Sequence, residues 1–122
     1  MKNNEITCEN ARKMSEYKFT EEYSKKDILN YKNVPETQVG NVLAVLEFGN
    51  VDIELIVNED SNEGYIAEYH IFIKVDEDEI DSIWEEVEIL TFEPKEYSEE
   101  NMFNILIEYI KENNLSWSEL NN

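Results

Sequence analysis

Carboxylates are the side chains that this chain groups most densely. Glu47, Asp52 and Glu54 flank the dipeptide Gly49-Asn50, and Asp76, Glu77, Asp78, Asp81, Glu85, Glu86 and Glu88 crowd the next acidic stretch, which Glu93 continues. Such clusters have three chemical uses: loose coordination of a hard cation, a divalent-metal reaction centre, or an anionic surface that a cationic partner recognises. The bulk charge favours the last. The 122 residues hold 29 acids against 10 Lys and Arg, a formal net charge of −19, where solubility asks for a magnitude of only about 2–8. The imbalance is also uneven. Residues 1–32 carry seven basic and six acidic side chains, so beyond Val34 only Lys74, Lys95 and Lys111 oppose 23 carboxylates.

The usual catalytic residue types are sparse. His70 is the one histidine and Cys8 the one cysteine. His70 reads as a surface residue on the outer side of a strand, with no Ser or Cys nucleophile motif to accompany it. Cys8 stands beside Glu9, which disfavours its thiolate, and a lone cysteine builds neither an internal disulfide nor a multi-cysteine zinc site. The run from Asn58 to Gly64 begins like a calcium loop, with Asn58, Asp60 and Asn62 at alternate positions. It then puts Glu63 where glycine belongs and Tyr69 where a bidentate Glu belongs. Gly40, Gly49 and Gly64 form no phosphate-cradling pattern. A metal held by Glu47 and Asp52 lacks a histidine or basic residue to complete a reaction centre. The chain is therefore expected to be no enzyme, with no catalytic residue, cofactor or metal site.

Direct binding of nucleic acid needs Lys and Arg to neutralise phosphates, and an anionic membrane repels a surface of this sign. No apolar run reaches the roughly 18 residues of a membrane span, and Met1 to Thr20 holds no signal-peptide core, so a cytoplasmic location in a bacterial host is expected. What such a surface can do is compete with nucleic acid. Carboxylates on neighbouring strands lie a few ångströms apart, and duplex DNA carries one charge per about 1.7 Å of axis. The expected partner is a basic nucleic-acid-binding protein or nucleoprotein complex. Glu47, Asp52, Glu54, Asp76, Glu77, Asp78, Asp81, Glu85, Glu86 and Glu88 are its candidate contacts, with Trp84, a residue type more often found in the core, as an apolar anchor. In size and charge class the chain resembles the DNA mimics encoded by phages and mobile elements, the anti-restriction and anti-CRISPR proteins. That resemblance rests on charge and carries no motif; it implies an inhibitor of a DNA- or RNA-processing enzyme. The alternative from a different class is an immunity protein or antitoxin that neutralises a basic toxin such as a nuclease.

These side chains need a scaffold, and 122 residues with 41% hydrophobic content suffice for one domain, 1–122, with a core of its own. Residues 42–57 read as a hairpin about Gly49-Asn50. A two-residue turn opposes Phe48 to Val51, Glu47 to Asp52, Leu46 to Ile53, Val45 to Glu54, Ala44 to Leu55 and Val42 to Val57. One face is then wholly apolar, and the other carries Glu47, Asp52 and Glu54 among Leu43, Val45 and Ile56. Residues 65–75 alternate as a third strand, joined by a polar link from Asn58 to Gly64. Residues 85–92 read as a fourth, entered by a helical turn from about Asp78 to Trp84. Exposure of Ile66 and Phe72 on strand three would allow sheet-face pairing into a homodimer. Ser98 caps a helix over 99–112 with the apolar stripe Met102, Phe103, Leu106, Ile107, Tyr109 and Ile110, and Ser116 with Glu119 caps a short terminal turn. Residues 1–35 read as helical, with segments starting at Thr7 and at Thr20 or Ser24, either packed on the sheet or forming an arm. The fold class expected is α+β: an antiparallel sheet of three to four strands over residues 41–93, covered by helices that include 98–112.

Overall fold

Alternation of apolar with polar residues puts the middle of this chain into one sheet. The computed structural model describes residues 5–14, 16–62, 64–77 and 82–120. Five strands follow one another in space as they do in sequence: β1 (Tyr17–Glu21), β2 (Val42–Phe48), β3 (Val51–Asp60), β4 (Gly64–Glu77) and β5 (Ser82–Thr91). Every neighbouring pair is antiparallel. Among the described residues four α-helices accompany them, α1 (Cys8–Met14), α2 (Lys25–Leu29), α3 (Glu99–Glu112) and α4 (Trp117–Leu120). The class is α+β, with one strand more than the sequence suggests.

The extra strand is β1, in a stretch whose weak periodicity reads as helix. α1 stops at Met14, and Tyr17 and Phe19 instead lie opposite Phe48 and Leu46 of β2. Alternating aromatics find apolar partners there, and cross-strand packing outweighs a marginal helical preference. Ser24 does cap α2, accepting from the Asp27 amide at 3.2 Å.

The β2–β3 hairpin has the expected register from Phe48/Val51 back to Ala44/Leu55. Gly49 has φ +57° and Asn50 no positive φ, the φ signs of a type II′ turn with glycine in first place. The pairing then shifts by one, because Val42 faces Ile56 rather than Val57. Leu43 is the extra residue of that bulge, and it is fully buried in the core instead of lying on the outer face. The link to β4 is tighter than expected, since the strands run on to an Asp60/Gly64 pair. At β5, Ser82, Ile83 and Trp84 are extended rather than helical; Asp78 to Asp81 lie outside the described residues.

One face of the sheet is sealed by α3. Ser98 accepts from the Asn101 amide at 2.9 Å, and Glu99 and Glu100 complement the positive end of the helix. Phe103, Leu106 and Ile110 share one fully or nearly fully buried core with Leu46, Ile53, Leu55 and Ile71. The carbonyls at the end of α4 have no helical partner of their own. The hairpin turn supplies one, as the Asn50 amide donates to Leu120 O at 2.8 Å and Asn50 Nδ2 to Glu119 O at 3.0 Å.

α1 is tied to α3 by Arg12, whose guanidinium donates to Glu99 at 2.7 Å and Glu100 at 2.9 Å and lies 4.2 Å from the Phe103 ring centroid. These contacts are partly exposed, so Arg12→Ala should lower unfolding stability by only about 1–2 kcal/mol. Urea denaturation checks this, and an unchanged midpoint would show that the clamp contributes nothing.

Candidate anionic interface

The opposite face of the sheet holds the acids, and the register arranges it in rows. One row runs Lys18, Glu47, Asp52, Phe72, Glu86 across all five strands. The next runs Thr20, Val45, Glu54, His70, Ile89, and a third runs Val42, Ile56, Glu68, Thr91. Glu47, Asp52, Glu54 and Glu86 therefore share a face, joined by Glu68. Glu47 is exposed and Asp52 and Glu54 are half-buried.

Crowding sets the electrostatics of this face. Burial pushes the Asp52 carboxyl up to about 7, Glu47 and Glu54 push it the same way, and Lys74 pulls against them. Glu54 is also raised, by burial first; His70 opposes the rise and Glu47 adds to it. Desolvation and like charge both disfavour a carboxylate, and here they act together. Glu47 directly opposite Asp52 is a cross-strand pair that opposes folding.

His70 is not the surface residue that the sequence suggests, for it is only 6% exposed. Its ring stacks beside Phe72 at 6.4 Å, and side chains from both neighbouring strands close over it. Nδ1 bonds Glu86 of β5, and Nε2 lies 3.1 Å from Asn58 Nδ2 of β3. The same amide nitrogen donates to Glu68 at 2.8 Å. When the ring is neutral, an Asn58 amide that spends its two N–H groups on Glu68 and Nε2 makes Nε2 an acceptor, which leaves the imidazole hydrogen on Nδ1 to donate to Glu86. His70 thus fastens β3, β4 and β5 together and holds Glu86 in place.

Of the remaining candidates Trp84 joins this face, in register with Lys74, whereas Glu85 and Glu88 do not. Glu85 pairs in register with Ile73 and Glu88 with Ile71, both on the helix-bearing side. Alternation divides Glu85 from Glu86 and the shift at Val87 divides Glu88 from it, so the acidic line expected along β5 is split between two faces. Glu88 lies near α3, where burial and then Glu88 raise the Tyr109 hydroxyl. Asp76 is exposed beyond a second irregularity in the β4–β5 ladder, and Glu77 is paired with Ser82 in register. Asp78 and Asp81 lie outside the described residues. Trp84 is on the surface rather than in the core, 37% exposed, with Lys74 Nζ 5.9 Å from its ring centroid. Ile66 and Phe72 are half-buried.

Sequence reasoning missed Lys18, Asn58, Glu68 and Lys74 as members of this face. Alternation along β4 does put Glu68, His70, Phe72 and Lys74 on one side. Their meeting with Asn58, Asp52 and Glu86 depends on pairings between strands that alternation leaves unspecified. Among the described residues no group of three or more His, Cys, Asp or Glu is arranged to hold a metal ion, and no helix is long and apolar enough to cross a membrane. No family model, no curated protein and no solved structure matches the chain.

Proposed function

We propose that this chain is an acidic, nucleic-acid-mimicking inhibitor that occupies the basic nucleic-acid-binding cleft of a DNA- or RNA-processing enzyme in the bacterial cytoplasm. One observation carries the reading: the open sheet face keeps Asp52 between Glu47 and Glu54, at a cost high enough to push its pKa up to about 7. Carboxylates held where they oppose folding point to a use outside folding. A Lys or Arg from a partner, placed among the three, would relieve both the repulsion and the desolvation. The net charge of −19 would steer a positive cleft toward this face, and the docked sheet would then exclude the true substrate. No chemical step is required, so the chain acts as a binding protein rather than an enzyme.

Retention from host lysate on the immobilised chain tests this. A basic nucleic-acid-binding protein should be held at low salt, with association slowing by about tenfold or more as ionic strength rises from about 0.05 to 0.5 M, because the Debye length shrinks severalfold over that range. Salt-insensitive retention would contradict a charge-steered encounter.

A further inference from the structure

β5 ends the sheet, and from Ile83 to Thr91 it is paired with β4 alone among the described residues. It is ten residues long, contains no proline or lysine, and exposes Ile83, Trp84, Val87 and Ile89 by 37–51%. Natural edges are usually shortened, charged with lysine or interrupted by proline to prevent unwanted pairing. The opposite edge obeys that rule, since β1 has five residues and carries Lys18. β5 instead carries Glu85, Glu86 and Glu88 and two irregularities in its ladder, which guard its length against another acidic strand but not against a basic one.

We infer that the free edge of β5 accepts an extended, basic segment of the partner as a sixth strand. The inference rests on the inhibitor reading for the partner's basic character and adds the mode of docking. Glu85 and Glu88 lie on the helix side of β5 and Glu86 on the open face, so an added strand meets acids on both of its faces. Lys or Arg directly opposite them would form favourable cross-strand pairs, with apolar residues between to cover Val87 and Ile89. A second copy of this chain fits poorly. It brings another −19 of charge, and antiparallel self-pairing centred on Glu86, on Val87 or between them sets acid opposite acid.

The test uses the whole chain at low salt with a peptide of alternating Lys and Val matched to β5 in length, and the same peptide N-methylated at alternate residues. Backbone pairing predicts slowed amide exchange within 83–91. It also predicts about 100-fold weaker binding of the N-methylated peptide, the loss expected when a few backbone hydrogen bonds are blocked. V87K/I89K should weaken the plain peptide, while Q38K/N62K, which changes net charge equally, should not. Equal binding of both peptides, with perturbation confined to Glu47, Asp52 and Glu54, would overturn the edge assignment and leave the acidic-face reading standing. Binding of neither peptide would also overturn it, with the inhibitor reading still decided by retention from lysate. Slowed exchange in β5 without peptide, together with a doubled mass in light scattering, would give the edge to a second copy and overturn the proposal.

Discussion

Replacing Glu47, Asp52 and Glu54 together by Gln, Asn and Gln should weaken partner binding by about 100-fold or more, since paired interfacial charges each contribute on the order of 1.5 kcal/mol or more. The fold should survive. Glu47 is exposed, Asp52 and Glu54 are half-buried, and amides of nearly the same size leave the buried core untouched. Amides suit this test better than lysines. Lys18 lies opposite Glu47 in register and Lys74 acts on Asp52, so reversing the charges would create new repulsion within the sheet. Titration calorimetry against the captured partner, beside circular dichroism of the variant, separates lost contact from lost fold. Undiminished binding by a folded triple variant would remove this face from the interface.

The second large effect concerns stability and has the opposite sign. In the folded chain the Asp52 pKa stands near 7, above the ordinary aspartate value of the unfolded chain. A raised acid pKa means that the folded state binds the proton more tightly. Below about pH 4 both states are protonated and Asp52 imposes no penalty; the penalty grows as pH rises and is complete above about pH 7. Taken whole, the shift corresponds to about 4 kcal/mol, and solvent screening of a half-buried group reduces this to about 1–3 kcal/mol. Asp52→Asn should therefore be more stable than the parent by that amount at pH 8 and equal to it near pH 4. Urea denaturation at the two pH values measures the difference. Equal stabilities at both would mean that Asp52 is not strained. The same substitution is expected to strengthen the fold and weaken the interface, as happens where a site is kept at the expense of stability.

Much of this fold was legible in the sequence because local rules govern it. Gly49-Asn50 fixes a two-residue turn, and the turn fixes the register that brings Glu47 against Asp52. Ser98 and the stripe from Met102 to Ile110 define α3 to the residue. Long-range pairing was not legible. β1 exists because Tyr17 and Phe19 meet β2 more than twenty residues away, and nothing near them in the chain requires a strand. Bulges escape periodicity for a related reason. One extra residue at Leu43 or Val87 reverses the face of everything beyond it, and the packing that makes the bulge worthwhile lies on another strand. His70 shows both effects, since its burial needs Asn58 from one side and Glu86 from the other.

The most direct test of mimicry is whether the chain and the partner's own nucleic acid bind the partner mutually exclusively. With the captured protein in hand, its affinity for this chain is titrated at increasing concentrations of that nucleic acid, and the mass of the complex is followed alongside. Mimicry predicts an apparent Kd that rises in proportion to nucleic acid, with no ternary species. A ternary complex, or an affinity that nucleic acid leaves unchanged, would contradict the central claim.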